Sequence, residues 1–170
     1  MGSVSFRAAI LTVSDRGYTG LRTDASGPML AGMLRQAGYE VVIQEILPDE
    51  RAMLTGRMRA ICDGHLADLL VTTGGTGFAP RDITPEATLE IAERQAPGIA
   101  EAMRMGSLTK TPRAMLSRGV SVLRGRTLVL NLPGSPKGAR ENLETVLPTL
   151  EHGLAILTGR DGDCGQPAGR

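Results

Sequence analysis

Strand-length apolar runs and helix-period apolar stripes alternate along the first half of the chain. Ala8-Ala9-Ile10-Leu11-Thr12-Val13 is an apolar run that gives way abruptly to the polar Ser14-Asp15-Arg16-Gly17, as a buried strand does on entering a loop. Met29, Leu30, Met33, Leu34 and Ala37 then recur at helical spacing, and Gly38 supplies a stop before Val41-Val42-Ile43, completing a βαβ unit. A second stripe, Met53, Leu54, Met58 and Ile61, predicts a helix from about Glu50 to Cys62, followed by Asp68-Leu69-Leu70-Val71-Thr72-Thr73 as a short buried strand. This alternation predicts a parallel sheet flanked by helices.

Beyond Thr73 the pattern changes. Thr84-Pro85-Glu86 offers an N-cap hydroxyl, a proline at the first helical position and an early acid, so a helix is expected there, and another after Pro97. Ser121-Val122-Leu123 and Thr127-Leu128-Val129-Leu130 flank a turn containing Gly125, a hairpin that makes the sheet mixed. The last strand runs into Asn131-Leu132-Pro133-Gly134-Ser135-Pro136-Lys137 before a helix carrying Leu143, Val146, Leu147 and Leu150. Three strand ends thus lead into polar or constrained loops, and open α/β sheets bind ligands beyond the carboxyl ends of their strands. The fold class is α/β with a mixed, mostly parallel sheet in one domain over 1–158. The glycine-containing segment 159–170 lacks a regular apolar face and is expected to be disordered.

Composition narrows the function. The chain has 170 residues, 41% hydrophobic and 22% charged, which fits one globular domain. A net charge of +1 and only 2% aromatic residues give neither the basic surface nor the stacking platforms that nucleic-acid binding uses. Cys62 and Cys164 form no CxxC motif, which fits a reduced cytosol. No apolar run approaches the roughly 18 residues of a membrane span, and the N-terminus lacks a basic segment leading into a hydrophobic one, so a cytoplasmic protein without a membrane partner is expected. Eight methionines against no tryptophan predict a core of aliphatic and thioether side chains.

The chemistry concentrates in "VTTGGTGFAPRDITPE", residues 71–86. A strand, a glycine loop and a helix follow one another in the order a phosphate-binding crevice requires, and glycine lets backbone approach a ligand without an intervening Cβ. The Walker pattern is absent, since no Lys-Ser or Lys-Thr follows Gly77. Arg81 and Asp82 stand there instead, an arginine suited to phosphate and a carboxylate suited to a hard cation, so the loop reads as a site for a metal–phosphate complex. An ordinary glycine turn is the structural alternative. Asp49, after Pro48 and before a helical stretch, reads equally as an N-cap or first-turn acid.

"SDRG", "PDE", "TTGGTGFAPRDITPEAT", "SLTKTPRAMLSR" and "NLPGSPK" occur in that order, and with them the chain resembles the molybdopterin adenylyltransferases and the molybdopterin-binding G domains of plant and gephyrin-like proteins. The resemblance runs from Phe6 to Leu157. It implies a three-layer α/β/α fold, a homotrimer, and adenylylation of molybdopterin by Mg-ATP with release of pyrophosphate. It further implies that Gly74, Gly75, Thr76 and Gly77, with Ser14 and Asp15 of the first loop, line the nucleotide and phosphate pocket. Asp49 and Asp82 become the catalytic acids that support magnesium, and Ser107, Ser117, Asn131, Pro133 and Gly134 the pterin side. Arg16, Lys110, Arg113 and Lys137 are either phosphate-neutralising or solvated, and His65 and His152 stand outside the matched motifs. Hand-over of the product to a molybdate-inserting enzyme would follow. Two rivals share the fold, a pterin carrier with weak or no transferase activity and a scaffold module.

Overall fold

The computed structural model describes residues 5–160. Its six strands are β1 (Arg7–Val13), β2 (Glu40–Leu47), β3 (Leu69–Thr73), β4 (Arg94–Gln95), β5 (Ser121–Arg124) and β6 (Thr127–Leu132), ordered β2-β1-β3-β6-β5-β4. The four strands β2, β1, β3 and β6 are parallel, while β5 runs antiparallel to β6 and β4 antiparallel to β5. The sheet is therefore mixed, with the predicted hairpin at its reversed edge. The ends of β1, β3 and β6 lie side by side, since Thr12 pairs with Thr73 and Thr73 with Leu132.

The helices are α1 (Asp15–Tyr18), α2 (Ser26–Gln36), α3 (Arg51–Asp63), α4 (Thr84–Ile91), α5 (Pro97–Leu108) and α6 (Pro136–Thr158), with a 3-10 helix at Pro112–Leu116. Alternate strand residues feed two separate cores, because side chains of a strand point to opposite faces. Ile10, Val71 and Leu130 pack with Leu30 and Leu34 of α2, Met103 of α5 and Leu143 and Leu150 of α6. Leu11, Leu70 and Val129 pack with Leu54 and Met58 of α3 and Ala87 and Ile91 of α4. Those two cores make the molecule three-layered, and explain why the central strands read as continuous apolar runs.

Two local features differ from the sequence expectation. Thr84 is the first residue of α4 rather than its cap; Ile83 occupies the cap position without a side-chain hydrogen bond. The Thr84 N–H donates to the Gly75 carbonyl at 3.1 Å, which draws the residue against the glycine loop and leaves its buried hydroxyl with no partner among the described residues. Helix α2 starts at Ser26, three residues before the apolar stripe, because the Asp24 carboxylate accepts from Ser26 N at 3.1 Å and Gly27 N at 3.0 Å. Helix α6 ends at Thr158 with Gly159 left-handed at φ 68°, an ordinary glycine C-cap. Arg160 lies over the Phe6 ring and within 3.6 Å of Asp68; the rest of the segment expected to be disordered, 161–170, lies outside the described residues.

Candidate active site

The glycine loop begins where three strand ends crowd together. Gly74, at φ 104°, donates its N–H to the Leu132 carbonyl at 3.1 Å, and a Cβ there would overlap the carbonyl oxygen of Val13. A Cβ on Gly134 would stand 3.2 Å from the Gly74 Cα, so the loops after β3 and β6 touch through glycine on both sides. Gly75, at φ 66°, would drive a Cβ into the Thr84 hydroxyl. At Gly74 and Gly75 the missing side chain would therefore point into the protein, not into ligand space, and both glycines are set by backbone conformation and packing. Among the described residues, no acceptor meets the backbone N–H groups of Gly75, Thr76 and Gly77. Unbonded amides in a tight loop form an anion cradle.

This loop is a ridge between two clefts. The first, about 360 Å³, is lined by Gly74, Gly75, Ser14, Asp49, Asp82 and Gly134 among others. The second, about 280 Å³, takes Thr76, Gly77, Ser107, Ser117 and Pro133 into its walls. Ser135 belongs to both, so the clefts adjoin.

In the first cleft, Asp49 and Asp15 cross-link their loops reciprocally. Asp15 N donates to Asp49 Oδ2 and Asp49 N to Asp15 Oδ1, each at 2.9 Å. Arg81 joins them from the glycine loop, with Nε 2.6 Å from Asp15 Oδ2 and Nη2 3.1 Å from both the Asp49 carbonyl and Glu50 Oε1. The hydrogen bond from Arg81 holds the Asp15 carboxyl below its ordinary pKa. Asp49 moves the other way: burial raises its pKa, and the neighbouring charges of Asp15 and Asp82 add to the shift. Asp82 accepts from Ala79 N at 2.9 Å through Oδ2, which braces its own loop. Asp49 and Asp82 thus face one cleft, each with a second carboxylate oxygen, Oδ1, that accepts no hydrogen bond. No group of three or more His, Cys, Asp or Glu able to hold a metal exists among the described residues, so any cation here would have two carboxylates and complete its shell from ligand and water. That donor set fits magnesium.

Most, but not all, of the residues expected at the site line one of the two clefts. Asp15 is not on the cleft wall; it stands behind Asp49, saturated by Arg81. Arg81, expected to meet phosphate, is held by carboxylates. The alternative of Asp49 as a helix cap does not hold, because Glu50 occupies the cap position of α3. Asn131 reaches neither cleft. It is 2% exposed, its Nδ2 donates to the Thr72 and Thr88 hydroxyls at 3.0 Å each, and its Oδ1 accepts from Val120 N. With every polar hydrogen used, its amide ties β6 to β3 and α4 instead of binding a ligand.

Ser107 accepts from Asn142 Nδ2 at 2.9 Å and Ser117 lies at the end of the 3-10 helix, both open to the second cleft. Arg113 lines it too, whereas Arg16 and Lys137 line neither cleft. Nothing in the residue pattern pointed to Arg118. Its N–H donates to the Thr76 carbonyl at 3.0 Å, Nε to Gly77 O and Nη2 to Asp82 O at 2.7 Å each, and Nη1 pairs with Glu86. One guanidinium therefore holds both ends of the glycine loop. Three of the four bonds of Arg118 go to backbone carbonyls, which carry no residue-type signal; only the pairing with Glu86 involves a side chain. Asp24 was findable, as an acid just ahead of Ser-Gly-Pro at a helix start.

Comparison with known proteins agrees with this geometry. Residues 9–152 match the family described as a probable molybdopterin binding domain. The molybdopterin adenylyltransferase of Helicobacter pylori is 41% identical over 152 residues, covering 88% of this chain and 86% of the relative. That of Escherichia coli is 41% identical over 145 residues, covering 84% and 74%. The crystal structure of the molybdopterin biosynthesis enzyme MoaB from Thermus thermophilus superposes with a TM-score of 0.86 at 54% identity, covering 91% of this chain and 97% of that one. With a three-layer fold, paired clefts at the strand ends and a match spanning nearly the whole described chain, this protein belongs to the molybdopterin-binding domain family of molybdenum cofactor biosynthesis.

Proposed function

We propose that the protein adenylylates molybdopterin. A terminal phosphate oxygen of the pterin attacks the α-phosphorus of ATP, the bond from that phosphorus to the bridging oxygen breaks, and pyrophosphate leaves. A phosphate monoester has a second pKa of about 6, so near neutrality the attacking group is already a dianion and no protein base is needed. What supports this reading most is the ridge of unbonded amides between an acidic cleft and one lined by hydroxyls and guanidinium groups. Two anionic reactants on either side of that ridge would have their phosphates meet at the loop. The adenylyltransferase names of the bacterial relatives support the same chemistry.

In this reading Ser14, Gly74, Gly75, Thr76 and Gly77 contact the nucleotide phosphates, and Ser107, Ser117 and Pro133 the pterin; Gly134, expected on the pterin side, lines the first cleft instead. Asp49 and Asp82 hold magnesium, which when bound neutralises charge on the triphosphate. Asp15 and Arg81 position Asp49, and Arg118 fixes the loop that carries Asp82. Alignment and charge neutralisation then supply the rate. Exposed Met105 and Leu108 of α5 and Met115 of the 3-10 helix give an apolar surface for the self-association proposed here, as a homotrimer. No helix among the described residues is long and apolar enough to cross a membrane, in keeping with a cytoplasmic enzyme that passes its product to a molybdate-inserting partner.

The test is to incubate the protein with molybdopterin, ATP and magnesium and to measure adenylylated pterin and pyrophosphate. Equal amounts of both are expected. Asp82→Asn keeps the acceptor that braces Ala79 but removes the charge, so it should retain pterin binding and lose on the order of 100-fold in transfer across a magnesium titration. Pterin binding with no product in the wild type would instead make the protein a carrier.

A further inference from the structure

The second cleft contains a charged acceptor to which adenylyl transfer gives no role. Glu141 stands in the second turn of α6, lines the cleft, and is only 17% exposed at its side chain. Its nearest cation is Lys110 Nζ at 3.6 Å, beyond good hydrogen-bond length. Among the described residues, no N–H or O–H donor is hydrogen-bonded to its carboxylate. The polar groups around it are satisfied: Asn142 Nδ2 donates to Ser107 Oγ and the Gly138 carbonyl, and Arg104 Nη1 to the Gly119 carbonyl at 2.7 Å. A carboxylate on a cleft wall whose nearest cation stands beyond good hydrogen-bond length keeps its acceptors open to a ligand.

The ligand that fits is defined by chemistry. A carboxylate offers two parallel acceptors and no donor, so its complement is a planar edge with two parallel N–H groups. The 2-amino-4-oxopyrimidine edge of a pterin has that arrangement, with the exocyclic amine beside the ring N3–H. Ala114, Leu116 and Pro133 supply apolar wall for the ring, and the cleft opens at Thr76 and Gly77 towards the loop where the pterin's phosphate would lie. We infer that Glu141 is the specificity-determining acceptor of the pterin pocket, receiving the 2-amino and N3 hydrogens and so selecting a 2-amino-4-oxo ring over other bicyclic heterocycles. This rests on the assignment of the second cleft to the pterin.

Calorimetric titration without ATP separates the two claims, using 6-hydroxymethylpterin phosphate and its 2-desamino counterpart as probes. Glu141→Gln should weaken the pterin by about tenfold to a hundredfold, the size of a charge-assisted hydrogen bond, and the 2-desamino probe by less than about threefold. Glu141→Asp, which keeps the charge but withdraws it, should fall between. Equal losses for both probes, or none on Glu141→Gln while Ser117→Ala weakens binding, would overturn the inference and leave the pocket assignment standing. If neither Glu141→Gln nor Ser117→Ala changes pterin affinity, both fall together. Thermal melts of each variant confirm that the fold is kept.

Discussion

Asp49 is the residue at which function and stability pull apart. Burial raises its pKa, so ionising it is harder in the folded protein than in the unfolded chain. The sign follows: the stability associated with Asp49 is fully present below the ordinary carboxylate pKa and is lost as pH rises through the raised one, leaving a charged cost at neutrality. Asp15 runs the opposite way, since Arg81 lowers its pKa and its contribution is lost only as pH falls through that lowered value. Asp49→Asn keeps an acceptor for the Asp15 N–H and removes the charge. In metal-free buffer it should therefore melt a few degrees above the wild type at pH 7, and match it at roughly pH 3, below the ordinary carboxylate value. The same variant should be nearly inactive. A melting temperature lowered at pH 7 would show that the charge is stabilising where it stands and that Asp49 is not held ready for a cation.

At the scale of elements, the glycine loop is a joint between β3, β1 and α4. Gly74 and Gly20 both have positive φ, but a Cβ at Gly20 would meet nothing within 4 Å, whereas at Gly74 it would overlap the Val13 carbonyl. Gly20→Ala should cost about 1 kcal/mol of backbone strain, and Gly74→Ala about 2–3 kcal/mol because β1 must also move. Equal losses on chemical denaturation would show that the loop end is not packed as described. The loop also marks how far the sequence could be read. Apolar period and the glycine, proline and cap signals place β1, β3 and α3 to within a residue and the start of α5 at Pro97, whereas β6 continues through Asn131 and Leu132, which read as loop. The purpose of the glycines was less legible, because positive φ and a neighbouring carbonyl leave no trace in residue type. Thr84 failed as a cap for a related reason: its backbone bond to Gly75 comes from tertiary packing. Asn131 sits in a loop-like motif, yet its three hydrogen bonds turn it inward. Asp82 lies on the wall of the first cleft and Ser107, Ser117 and Pro133 on that of the second, where the family motifs imply them, while Arg118 works mainly through carbonyls of another segment.

Across the whole molecule, the parallel strands bring loops distant in sequence to one edge of the sheet and divide that edge into two adjoining clefts. The acidic cleft is braced by the Asp15–Asp49–Arg81 linkage, the other by α5, the 3-10 helix and the start of α6. The central claim is that these clefts hold a nucleotide and a pterin phosphate at the same time, on opposite sides of the glycine ridge. Binding of α,β-methylene-ATP with magnesium, measured at rising concentrations of 6-hydroxymethylpterin phosphate, tests it most directly, because no turnover is required. The account predicts a nucleotide Kd that stays constant or tightens as the pterin saturates; a Kd that climbs in proportion to pterin concentration would mean the two compete for one cleft, and would contradict it.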